Sequence, residues 1–137
     1  MKINIQTIPQ KNQRYDTVGD WEFDSQFSDS IQLQIRVSDL GDWRMEALVT
    51  VHELVEALLC RDAGITTAQV DKFDDGWFHG DTANAKTDEP GDHPEAPYRR
   101  EHCFASAVER MLAAAMGVSW AEYEKRVEEV SSALPPA

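Results

Sequence analysis

The chain has 137 residues, enough for one domain spanning 1–137, and its hydrophobic (42%) and charged (28%) shares are those of an ordinary globular protein. A formal net charge of −12, from 25 acidic and 13 basic residues, would repel a phosphate backbone and excludes nucleic acid as an expected partner. No apolar run approaches the ~20 residues that cross a bilayer, and Met1 to Ile5 lacks the apolar core of a secretion signal, so no membrane partner and a cytoplasmic location are expected.

The first forty residues read as sheet. Lys2 to Ile8 alternates, with Ile3, Ile5 and Thr7 against Asn4 and Gln6. Tyr15 to Phe23 sets aromatics and Val18 around a turn signal, Gly19-Asp20. Ile31, Leu33, Ile35 and Val37 alternate with Gln32, Gln34 and Arg36, which predicts a strand with one buried and one wet face. Together these segments predict a small antiparallel sheet of about three strands.

The period then changes. From Asp42 to Ala63 the residues favour helix, with Asp42 as N-cap and Gly64 as the stop. Leu48, Val51, Val55, Leu58 and Leu59 fall at helical spacing and predict its core-facing stripe. A shorter helix is expected over 67–78. Gly80 to Pro97, rich in Gly, Pro and acids, reads as a long loop. A helix from about Ala96 to Ala115 stops at Gly117, and a last one runs from the N-cap Ser119 to about Leu134. Sheet first, then about four helices, predicts an α+β domain. Trp21, Phe23, Trp43, Phe73, Trp77, Phe78 and Phe104 are expected at the core or its edge. The two cysteines, Cys60 and Cys103, form no secreted-type disulfide framework and read as small buried hydrophobes.

Chemistry concentrates on the long helix. His52 and Glu56 lie one turn apart on one face, a spacing at which two side chains close on one metal ion. Glu53 points toward the edge of the same site, where a general base would take a proton from water. A third ligand must come from elsewhere. His102, on the helix after the long loop, is the first choice, with Glu109 two turns further along the same face to ligate or to orient it. His93 and His79 follow, and Cys60, one turn beyond Glu56, stays a candidate. Arg99 and Arg100 are placed to hold a substrate carboxylate or phosphate. The acidic set Asp71, Asp74, Asp75, Asp81, Asp88, Glu89 and Asp92 has no calcium-loop spacing and reads as a solvated surface. An ordinary amphipathic helix would show Glu46, Glu53 and Glu56 on its wet side in the same way.

Val51-His52-Glu53-Leu54-Val55-Glu56-Ala57 resembles the active-site helix of zincin-type metallopeptidases, whose pattern is H-E-x-x-H. The upstream strand 31–37 and the apolar Ala47-Leu48-Val49 run are similar too. The chain departs where Glu56 stands in place of the second histidine. The resemblance implies a zincin-like arrangement, Zn²⁺ held by His52, Glu56 and His102, and Glu53 as general base of a hydrolase acting on a peptide or protein. Around Val51–Cys60 and Ala96–Glu109 the chain also resembles small bacterial and phage proteins, which implies one shared site on the two helices.

Two other readings fit the same residues. Glu53, Glu56 and Glu109 on facing helices suit a Mg²⁺-dependent nucleotide pyrophosphohydrolase, whose E-x-x-E motifs look similar, although the strand-rich start does not suit that helical family. The size and acidity also suit a non-catalytic metal-binding or protein-interaction domain of a phage or mobile element.

Overall fold

The computed structural model describes residues 1–24, 31–80 and 89–132. Three strands come first: β1 (Lys2–Ile8), β2 (Gly19–Asp24) and β3 (Gln32–Ser38). Four helices follow: α1 (Trp43–Asp62), α2 (Thr67–His79), α3 (Arg99–Met116) and α4 (Trp120–Ser131). The class is α+β.

The sheet is mixed, with β3 in the middle of the order β1-β3-β2. This corrects the antiparallel expectation. The chain lays β1 at one edge and β2 at the other, then returns with β3 between them. β3 therefore pairs antiparallel with β2 and parallel with β1. Alternation along a strand reports which face is buried and carries no information about the direction of its neighbours. Gly19 and Asp20 open β2 instead of turning the chain.

The alternation of β3 is realised as read. Leu33, Ile35 and Val37 are buried, while Gln32, Gln34 and Arg36 are half-buried on the other side. Gly19, Trp21 and Phe23 of β2 stand opposite Val37, Ile35 and Leu33, so the core face continues across the pair. The opposite face is polar: Arg36 pairs with Glu22 and Asp20, and Arg14 with Asp20 and Asp71.

Helix α1 crosses the core face of the sheet. Asp42 caps it by accepting from the Arg44 amide at 2.9 Å, and Gly64, at φ +75°, follows its end. Its buried residues are Leu48, Val49, His52, Glu56, Ala57 and Cys60. The expected stripe is corrected here: Val51, Val55 and Leu59 are only half-buried and Leu58 is exposed. The inward face carries the two polar residues, so hydrophobicity alone points to the wrong side of this helix. His52 and Glu56 are likewise not on a wet face.

Helix α3 packs along α1 with His102, Ala105, Glu109 and Ala113 inward. Small residues at Ala57, Ala105 and Ala113, all buried, let the two backbones approach. Trp43 (66% exposed) and Phe104 (59% exposed) are surface residues and not core, and Cys103 is exposed while Cys60 is buried. Residues 81–88, with Asp81 and Asp88, and the expected end of the last helix at Leu134 lie outside the described residues. Within the expected loop, Pro90–Asp92 forms a short 3-10 turn. Among the described residues no helix is long and apolar enough to cross a membrane.

Candidate metal centre

His52 projects from the middle of α1 and His102 from the first turn of α3. Both are buried, and their ring centroids are 4.8 Å apart. Glu56 lies between them. Its Oε2 is 3.1 Å from Nε2 of His52 and 2.8 Å from Nδ1 of His102. Its Oε1 accepts a hydrogen bond from the Trp21 indole Nε1 at 2.9 Å. One carboxylate thus joins β2, α1 and α3.

Each imidazole also meets a second set of acids. Nδ1 of His52 is 2.9 Å from Oε1 of Glu109, whose Oε2 accepts from the Tyr123 hydroxyl on α4. Nε2 of His102 faces Oε2 of Glu89 at 3.3 Å and Oδ1 of Asp92 at 3.2 Å. One donor atom from each of His52, Glu89 and His102 lies within 4.8 Å of the others, a group able to hold a metal ion. Ligand atoms about 2.0–2.1 Å from a tetrahedral zinc ion stand roughly 3.3 Å from one another. The separations of Glu89 and Asp92 from His102, and of Glu56 from His52, are on that scale.

Two glycines shape the walls. The ring of His102 lies against Gly91, where a Cβ would stand 2.5 Å from Nδ1. At Gly19 a Cβ would stand 2.5 Å from Oε1 of Glu53. The Pro90–Asp92 turn and the start of β2 therefore press on the two ends of the site.

The electrostatics follow from the crowding. Burial pushes the Glu56 carboxyl up, but hydrogen bonds from His102 and His52 outweigh it and hold the group down at about 2. Burial lowers His52, and the bonds to Glu109 and Glu56 reverse this and raise it well above its ordinary value. His102 is raised too: burial works against its charge, and the bond to Glu56 overcomes it. Glu53 is pushed well above the usual carboxylate range by burial and then by the charge of Glu56. Taken together, the carboxylates around the two imidazoles favour positive charge at the centre, which a divalent cation would also supply.

The expected residues divide cleanly. His52, Glu56, His102 and Glu109 come together from two helices, and Glu53 borders them. Glu109 touches His52 and not its helix-mate His102. His93 lies apart, its ring within 5.9 Å of Phe73 and 5.5 Å of Trp77, and its Nδ1 accepts from the Glu95 amide. His79 is exposed beside Tyr15. Cys60 is buried, and burial and the charge of Glu56 push its thiol up; it is outside the convergent group. Arg99 is exposed and donates to the Asp92 carbonyl, while Arg100 lines a shallow depression with Leu59, Asp62 and Phe104.

Glu89, Asp92, Trp21 and Tyr123 are the contributors that sequence reasoning did not assign to the site. For Glu89 and Asp92 the available signal is their position on either side of Pro90-Gly91, a turn just before the His102 helix. Trp21 and Tyr123 carry no such signal. No protein family model, curated protein or solved structure matches this chain.

Proposed function

We propose that this chain is a zincin-like, metal-dependent hydrolase, with a peptide or protein as the expected substrate class. The observation that carries the reading is the grouping of one donor atom each from His52, His102 and Glu89 within 4.8 Å of one another, with Glu56 joining the two rings. Imidazole nitrogens and carboxylate oxygens in this ratio are a donor set suited to zinc, and less so to Mg²⁺, which prefers oxygen ligands. His52 and His102 each have Nδ1 on a carboxylate, Glu109 and Glu56 respectively. Such a partner fixes the tautomer and aims the other ring nitrogen, as ligating histidines require.

Bound zinc would polarise a substrate carbonyl and acidify a water molecule. The chain's own residues do the rest. Glu53, at the edge of the site, accepts the proton from the attacking water at a carboxylate oxygen. The same oxygen later returns that proton to the leaving amine. Trp21 holds Oε1 of Glu56 and leaves Oε2 free to face the histidines.

A second reading keeps the site and removes the chemistry. Oε2 of Glu56 already satisfies both imidazoles, so the network itself could tie α1, α3 and β2 together in a non-catalytic domain. Elemental analysis of wild type beside His52→Ala separates the two. Stoichiometric zinc is expected in the wild type, and its loss in the variant. Glu53→Gln should then keep zinc and abolish peptide hydrolysis. Absence of metal after reconstitution would sink the hydrolase reading, and hydrolysis surviving Glu53→Gln would sink the mechanism.

A further inference from the structure

We infer that Tyr123 is a positioning residue of the metal centre, acting on His52 through Glu109. The inference rests on the metal-binding reading above and assigns a role to a helix that contributes no ligand.

Tyr123 is the buried residue of α4. Its hydroxyl donates to Oε2 of Glu109, and Oε1 of the same carboxylate sits 2.9 Å from Nδ1 of His52. Three helices thus contribute one link each: α4 a hydroxyl, α3 a carboxylate, α1 an imidazole. The chemistry of the chain has a direction. A phenol beside a carboxylate is the donor of their hydrogen bond, so the Tyr123 proton points at Glu109. Glu109 is then fixed as acceptor on both oxygens. Nδ1 of His52 must carry the proton of their hydrogen bond, which leaves Nε2 as the nitrogen for a metal ion.

The geometry also explains why this link belongs to α4. Glu109 is free to swing about its side-chain torsions unless both oxygens are held. With Oε2 anchored on Tyr123, a turn of the carboxylate away from His52 would break two hydrogen bonds inside a buried site. The rest of α4 is held by other means: Arg126 donates to the Leu40 carbonyl at 2.9 Å, and Val127 and Val130 pack on the core. The helix can therefore stay docked when the hydroxyl is removed.

The test is zinc affinity of purified full-length variants, measured by competition with a chromophoric chelator, together with the visible absorption of the cobalt-loaded proteins. Tyr123→Phe should weaken zinc binding about 10- to 100-fold, the range for loss of a partner that orients a ligating histidine. Its cobalt bands should shift as the His52 ring reorients. Val127→Ala, which loosens α4 without touching the hydrogen-bond chain, should bind zinc as the wild type does and keep its cobalt spectrum. Wild-type affinity and spectrum in Tyr123→Phe would overturn the inference and leave the metal centre standing. Equal weakening in both variants would overturn it as well, since packing of α4 alone would then be responsible. A wild type that takes up neither zinc nor cobalt would overturn the inference together with the reading it rests on.

Discussion

Gly91 lies so close to His102 that a Cβ at position 91 would stand 2.5 Å from Nδ1 of the ring. Its backbone is not in the left-handed region, which is confined to Gly41, Gly64 and Gly117 among the described glycines. The requirement at 91 is therefore space, not conformation. Gly91→Ala should move either the ring or the Pro90–Asp92 turn. Overpacking of this kind costs about 1–3 kcal/mol. Displacement of His102 should also weaken zinc binding roughly tenfold or more. A chelator-competition titration and a melting curve check both, and an alanine variant with wild-type zinc affinity would show that the turn does not position the ring.

Zinc should stabilise the fold. The donors come from α1, α3 and the segment before α3, and the unfolded chain does not hold them together. A ligand present at 100 times its dissociation constant adds about 2.7 kcal/mol. For a domain of this length that is a melting-temperature rise of roughly 10 °C. Chelator should reverse the rise in the wild type and have no effect on His52→Ala. Identical melting curves with and without zinc would mean that the residues form no folded-state metal site.

How much of this is legible in the sequence depends on sequence distance. The helices and the buried face of β3 follow from local period and from caps such as Asp42 and Ser119, all read within a few residues. The pair His52 and Glu56 was legible because one helical turn decides their proximity. His102 was reachable only by counting scarce histidines. Tertiary partners were not legible: Trp21 reaches Glu56 from β2, and Tyr123 reaches Glu109 from α4. The parallel pairing of β1 with β3 is a long-range choice of the same kind. The inward face of α1 is hidden in the sequence for a more specific reason. Its buried positions Leu48, His52, Glu56 and Cys60 follow one another at every fourth residue, but the two polar ones in the middle break the hydrophobic stripe. The candidate site residues themselves conceal the face that they occupy.

Trp21 offers a direct measure of what supports Glu56. Its indole donates to Oε1 at 2.9 Å within the core. Trp21→Phe keeps an aromatic ring there and removes the donor. A buried acceptor left without its partner costs about 1–3 kcal/mol, and more when it is charged. Urea denaturation should show that loss in the wild-type background. In a Glu56→Gln background the loss should be smaller, because the acceptor is then uncharged. An equal loss in both backgrounds would place the effect in ring packing and not in the hydrogen bond.

Asp74 of α2 is raised to about 7, chiefly by burial, although the hydrogen bond from the Tyr98 hydroxyl works in the opposite direction. An unfolded aspartate titrates near 4. The folded state thus holds a proton on this group more tightly than the unfolded state does. Its contribution to stability is fully present below about pH 4 and is lost as pH rises through about 7. Between pH 5 and pH 8 the wild type should lose on the order of 2 kcal/mol through this group. In the variant Asp74→Asn the side-chain amide can still accept from Tyr98 but has no proton to lose. The variant should therefore fall less steeply over the same interval, and should match or exceed the wild type at pH 8. His52 and His102, both raised, add a loss of the same sign in either protein, so the difference between the two curves isolates Asp74. Parallel curves would mean that Asp74 is ionised across the whole interval in the folded protein.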